Sequence, residues 1–345
     1  LKIIHVIDIL NVGGAERVFV TICNLLSKNK ISVNGLFLIE KGILKSQLNE
    51  DIDTFELKRT NKWSLKKMYE CSKILKSYDL IHCHFKHVYV YIRLVSLIFN
   101  VETPILFHNH SSKKLNISSI FILKYIFKPR FLICVDNESM KFYKEQFNLQ
   151  NENLFLLENI IIPSSNQSVN LPQKDFDIVL VGNIKQNKNN IFAVDLAEKL
   201  KKNILLIGKN QEEEYFKNLL NRINSSSVEI VLKQDVSDVS SYLNSCKIGI
   251  SVSLRETGPL VLLEYLSNEI PFLAYETGEI SKMLKPFFPE FFMDNLDINL
   301  WEERLLFLLN KKHDHNKMKE VFNQLFGEEE YLNKLLTIYK CVQKN

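Results

Sequence analysis

The chain has 345 residues, 46% hydrophobic and 24% charged, with a formal net charge of +4. That length suits two domains that each bury a core, and the composition is ordinary for a soluble globular protein, so disorder and repeat arrays are excluded. Six cysteines without metal-ligand spacing read as reduced thiols, no apolar run reaches the ~18 residues of a membrane span, and the start lacks a secretory pattern, so a cytoplasmic protein is expected.

In chain order, short apolar runs alternate with helical stretches, the pattern of a parallel α/β sheet, and predict strands at 2–8, 33–39, 79–83, 104–108, 131–135 and 154–158. The first strand runs into Gly13 and Gly14, a tight turn into a helix where the backbone can approach a ligand closely. Charge is uneven. Residues 1–165 carry 22 Lys and Arg against 15 Asp and Glu, and Arg59–Arg130 carries 13 against 3, including Lys62, Lys66, Lys67, Lys73 and Lys76 on one predicted helix. The segment Lys113–Lys128 mixes apolar bulk with flanking lysines, which fits either an interfacial helix on an anionic membrane or a core helix whose lysines snorkel into water. No aromatic-and-basic recognition motif accompanies the charge, so nucleic acid is not an expected partner. Histidines gather at two predicted strand ends, His82, His84 and His87 on one and His108 and His110 on the next. A His-x-His pair turns both rings to one face without supplying the remaining ligands, so no metal is expected.

Residues 159–176, with Pro163-Ser-Ser-Asn-Gln-Ser and Pro172, have the composition of a linker. Strands recur near 177–182, 203–207, 228–232, 247–252, 271–275 and 291–293, so a second Rossmann-like domain is expected. Its most informative segment is Ser251-Val-Ser-Leu-Arg-Glu-Thr-Gly-Pro-Leu-Val-Leu-Leu-Glu-Tyr-Leu. An apolar strand precedes it, Thr257-Gly-Pro signals a turn, Pro259 suits a first helical position, and helical spacing begins at Leu260. Gly258 lets the backbone approach a ligand, and the amides around Leu260 and Val261 would face it at a helix N-terminus, where the dipole favours a diphosphate. Glu256 in the loop and Glu264 one turn into the helix are ionised acceptors, suited to sugar hydroxyls and a ribose diol. Glutamate near a helix start is also what dipole stabilisation alone selects, so the spacing by itself decides little.

The segment resembles the donor-site signature of glycosyltransferase family 4, retaining enzymes of the GT-B fold. Ile3–Arg17 is similar to the family's first strand and glycine loop, and Val179–Lys188 to the strand and basic loop that open its second domain. Ile204–Gly208 and Val239–Cys246 sit where the family has its next strand and the helix before the donor loop. The resemblance implies an α/β GT-B architecture, two facing Rossmann-like domains with a cleft between them. Residues 1–163 would bind the acceptor, 164–176 link, and 177–325 bind the nucleotide sugar, with a helix in 326–345 packing back on the first domain.

It further implies a nucleotide-sugar donor, UDP-sugar favoured, and a glycan or lipid-linked acceptor. The implied setting is bacterial surface-polysaccharide assembly, capsular, exopolysaccharide or lipopolysaccharide, in the cytoplasm or peripherally at the inner face of the cell membrane. No metal or other cofactor is implied. His110 would lie near the transferred sugar, Gly13 and Gly14 near that sugar or the donor phosphate, and Lys188 against the phosphates. The family usually carries an arginine where this chain has Asn183; Lys185 can substitute as a point charge but not as a bidentate guanidinium. Family chemistry needs no enzymic nucleophile, so His110, Glu256 and Lys188 would act by position and electrostatics. Two functions follow: an active retaining hexosyltransferase, or a catalytically weak donor-binding homologue serving as partner subunit in a glycan-assembly complex. A nucleotide-sugar epimerase is a third, distinguished by product formation without any acceptor.

Overall fold

A computed structural model of the protein describes residues 1–110, 127–161, 175–236 and 238–344. The chain divides into two compact units, Leu1–Ile160 with Glu328–Asn345, and Ile161–Gly327. Nearly all of the expected linker 164–176, and most of the amphipathic stretch 113–130, lie outside the described residues.

Unit 1 is built from β1 (Lys2–Ile7), α1 (Gly14–Lys28), β2 (Ser32–Phe37), β3 (Thr54–Glu56), α2 (Leu65–Leu75), β4 (Leu80–His84), α3 (Lys86–Phe99), β5 (Ile105–Asn109), β6 (Phe131–Cys134), α4 (Asn137–Phe147) and β7 (Leu154–Leu156). The strands form one parallel sheet in the order β3-β2-β1-β4-β5-β6-β7. Side chains alternate across it, as the strand period requires. On one face Ile4, Val6, Ile81, Cys83 and Phe107 pack with Met68 and Leu75 of α2, Ile92 and Val95 of α3, and Tyr143 of α4. On the other face the register sets His5 beside His82 and His84 beside His108. Lys62 and Lys76 lie outside α2, which runs from Leu65 behind the Ser64 cap to Leu75, so the predicted helix is shorter, with Lys62 in the preceding loop and Lys76 as the C-cap.

Unit 2 follows with β8 (Phe176–Val181), α5 (Asn190–Leu200), β9 (Ile204–Ile207), α6 (Glu213–Asn224), β10 (Ile230–Lys233), α7 (Ser240–Leu243), β11 (Cys246–Ser251), α8 (Leu260–Ser267), β12 (Phe272–Tyr275), α9 (Glu279–Leu284), β13 (Phe292–Met293), α10 (Ile298–Asn310) and α11 (His315–Phe326). Its parallel sheet runs β10-β9-β8-β11-β12-β13. The chain then returns to unit 1 as α12 (Glu328–Lys344), where Lys28 Nζ donates to Glu328 Oε2 at 2.7 Å. In each sheet the strand order reverses once, between β1 and β4 and between β8 and β11. Such a switch point opens a crevice at the carboxyl ends of the strands, where ligands of doubly wound sheets bind.

Candidate functional site

The loops leaving β8 and β11 meet at the switch point of unit 2. After β8 the chain passes Gly182 and Asn183, then tightens into a single 3-10 turn, Gln186–Lys188. Gly182 N donates to Ile207 O at 2.8 Å and Ile184 N to Lys209 O at 2.8 Å, which holds the loop against the end of β9. A Cβ on Gly208 would stand 2.0 Å from Gly182 O, so these backbones approach too closely for any side chain. The stem of Lys188 lies over Gly182, and its Nζ is paired with Glu256 Oε1; both side chains are largely covered. Two bonds clamp the loops together: Leu254 N donates to Asn187 O at 2.9 Å, and Asn187 Nδ2 to Arg255 O at 2.8 Å.

The far side of the Glu256 loop is held by the turn after β12. Glu256 N donates to Thr277 Oγ1 at 3.1 Å, and Glu279 N to Thr257 O at 2.7 Å. Gly278 has φ +82°, and a Cβ there would lie 2.8 Å from both Pro259 Cδ and Thr257 O, so glycine is required by conformation and by contact. Pro259 is the N-cap of α8 rather than its first residue, leaving the amides of Leu260 and Val261 in the first turn. Within α8, Glu264 is buried, with 9% of its surface accessible. Next to it Tyr265 bolts the helix to the sheet. Its hydroxyl donates toward Val179 O at 3.2 Å and Ile250 O at 3.1 Å and accepts from Val181 N at 3.2 Å, spanning β8 and β11. Its ring lies on Gly249, where a Cβ would be 2.7 Å away. The structure thus brings Asn183, Lys188, Glu256, Gly258, Leu260, Val261 and Glu264 to one end of one sheet, with Lys185 at the start of the 3-10 turn.

Unit 1 holds the other predicted residues. Gly13 caps α1, Gly14 begins it, and the Glu16 carboxylate folds back over Gly13. Burial raises the carboxyl of Glu16 above its usual range, opposed by its own backbone bond and by His87. Asp8, just past β1, accepts from Arg59 Nη2 at 3.1 Å and pairs with His87 Nε2 at 2.7 Å. His87 therefore stands apart from the other histidines. His110 follows β5, and its Nε2 lies 2.9 Å from His84 Nδ1. Burial depresses His110 to about 3 and His5 to about 3. His82, His84 and His108 are also pushed down by burial, with smaller contributions from the neighbouring rings. His5 and Tyr339 complete this cluster and were not among the predicted site residues. The nitrogens of His5, His82 and His84 lie within 4.8 Å of one another, as do those of His84, His108 and His110, so the strand pairing gathers more imidazoles than the His-x-His pattern supplies.

Two parallel-sheet α/β units of this kind are the architecture of the GT-B fold. Superposition agrees: Anabaena HepE in complex with UDP and glucose has a TM-score of 0.79 at 14% identity, covering 98% of this chain and 99% of that one. The lipopolysaccharide outer core galactosyltransferase WaaB, in its apo form, gives 0.69 at 16% identity over 98% and 99%. A variant of S. aureus TarM in complex with UDP gives 0.75 at 12% identity over 98% and 99%. Residues 162–323 match the family described as Glycosyl transferases group 1. An uncharacterized glycosyltransferase of Haemophilus influenzae is 24% identical over 305 residues, 81% of each chain. Another, from Methanocaldococcus jannaschii, is 21% identical over 271 residues, 76% of this chain and 75% of the relative. The chain has the fold of the GT-B glycosyltransferases, and nearly all of unit 2 is similar to the glycosyl transferases of group 1.

Proposed function

We propose that the protein is a retaining hexosyltransferase of family 4 that takes its sugar from a UDP-sugar without a metal and transfers it to a glycan or lipid-linked acceptor in bacterial surface-polysaccharide assembly. The observation that carries this reading is the Lys188–Glu256 pair, contributed by two loops and set beside the N-terminus of α8. A diphosphate arriving there competes for Lys188 and gains the amides of Leu260 and Val261, while Gly258 admits it closely. Glu256, released from its cation, then accepts from sugar hydroxyls, and Glu264 accepts from the ribose diol. His110 serves the transferred sugar, with Gly13 and Gly14 beside it or the donor phosphate. The departing phosphate oxygen takes the acceptor's proton as the new bond forms on the same face, so the protein positions the reactants and stabilises the leaving charge. UDP in the HepE and TarM complexes supports uridine as the base.

Asn183 favours a second reading, a donor-binding partner subunit with weak catalysis, because a phosphate-binding arginine is expected at that point. Transfer from UDP-hexoses separates the two when measured on wild type, Glu256→Ala and Asn183→Arg. An active enzyme loses ~10–100-fold in turnover on Glu256→Ala, equivalent to one charge-assisted contact. A wild type inert with every UDP-hexose, gaining turnover as Asn183→Arg, establishes the partner reading instead. A wild type that turns over donor no faster than Glu256→Ala, both measurably active, contradicts the site.

A further inference from the structure

One unbroken chain of hydrogen bonds links five imidazoles and a phenol in unit 1. His110 Nε2 meets His84 Nδ1 at 2.9 Å, and His84 Nε2 meets His5 Nδ1 at 3.0 Å. His5 Nε2 reaches Tyr339 Oη at 3.1 Å, Oη reaches His82 Nδ1 at 2.9 Å, and His82 Nε2 reaches His108 Nδ1 at 3.2 Å. Its two ends, His110 Nδ1 and His108 Nε2, are buried and have no partner among the described residues. The end rings stack with centroids 4.0 Å apart. Burial keeps all of the rings neutral, so each offers one N–H and one lone pair.

That valence rule couples the rings. If Tyr339 donates to His5, then His5, His84 and His110 must each carry hydrogen on Nδ1. The Tyr339 oxygen then accepts from His82 Nδ1, and His82 Nε2 accepts from His108 Nδ1, so all five rings are the Nδ1–H tautomer. If Tyr339 donates to His82 instead, all five are the Nε2–H tautomer. Any mixture leaves an N–H, an O–H or a lone pair along the chain unmatched in a low-dielectric core, where an unmade bond is costly.

We propose that Tyr339, His5, His82, His84 and His108 are positioning residues that fix the tautomer of His110, the five rings adopting one tautomer together under the single hydrogen of the Tyr339 hydroxyl. His110 Nδ1 is then a donor in one arrangement and an acceptor in the other, and which it is decides how it can meet a sugar hydroxyl; this consequence rests on the role proposed above for His110. The same nitrogens lie close enough for a cation, but here each inner one is taken by a ring-to-ring or ring-to-phenol bond.

Histidine nitrogen shifts in the uniformly 15N-labelled full chain, recorded at pH 7.5 for wild type and Tyr339→Phe, test this without substrate. The five linked rings should show one common tautomer in wild type, and His110 should shift in Tyr339→Phe although only the distant hydroxyl is removed. With UDP-hexose, turnover of Tyr339→Phe should fall about tenfold while KM for the donor changes less than twofold. Mixed tautomers among the five wild-type rings, or identical His110 shifts in the two proteins, would overturn the proposal. So would stoichiometric Zn2+ binding that moves His84, His108 and His110 together, since the cluster would then be a metal site. A protein that transfers no sugar would sink the enzyme reading above and leave the nitrogen shifts to decide whether the five rings are coupled.

Discussion

Buried neutral histidines make unit 1 sensitive to acid. His5 and His110 are depressed to about 3 from an ordinary value near 6.5, and His82, His84 and His108 are also lowered. Between pH 3 and 6.5 the unfolded chain therefore binds more protons than the folded one, so stability is complete above 6.5 and is lost as pH falls through that window. Each ring contributes up to ~1.4 kcal/mol per pH unit there. Glu16 runs the other way: its raised carboxyl loses stability as pH rises through its own window. The pH dependence of unfolding free energy near pH 5.5 should correspond to uptake of about four to five protons, and uptake near zero would mean that the rings are not held neutral.

Element by element, α8 is the part on which the proposed donor site depends. Tyr265 fastens the helix across β8 and β11, and Gly249 leaves room for the ring. Tyr265→Phe should cost ~1–3 kcal/mol by leaving buried backbone groups unpaired, and Gly249→Ala a similar ~1–3 kcal/mol by overpacking. Thermal melting checks both; unchanged midpoints would show that the helix is held in another way. Much of this level is legible in the sequence. Predicted strands at 203–207 and 247–252 correspond to β9 and β11, because a strand buried on both faces reads as an apolar run. β3 is not legible: Thr54-Phe-Glu is three residues long, lies at the sheet edge and exposes Phe55. The approach of Lys188 to Glu256 follows from loops leaving adjacent strands, which order of motifs suggests but spacing cannot measure. The link from His5 to Tyr339 crosses 334 positions and depends on α12 returning to unit 1, so no local pattern announces it.

For the whole molecule, the uneven charge bears on where the protein would work if the proposed function holds. No helix among the described residues is long and apolar enough to cross a membrane. Unit 1 nevertheless exposes Trp63 and Leu65, at 65% and 64%, next to Lys62 and Lys66, with Lys62 Nζ 5.7 Å from the Trp63 ring. Apolar side chains among lysines suit an anionic bilayer, where each cation near the surface contributes ~1 kcal/mol. Sedimentation with vesicles containing phosphatidylglycerol should retain the protein at low salt and release it at high salt; equal partitioning at both, or none, would remove the membrane reading.

The most direct measurement is calorimetric titration of UDP, GDP and ADP into the wild-type protein and Glu264→Ala. If unit 2 holds the donor at α8, UDP binds in preference to the others and Glu264→Ala weakens it by ~10-fold or more, the loss of one hydrogen bond to a charged acceptor. Binding of no nucleotide, or equal affinity of the two proteins for UDP, would contradict the donor site.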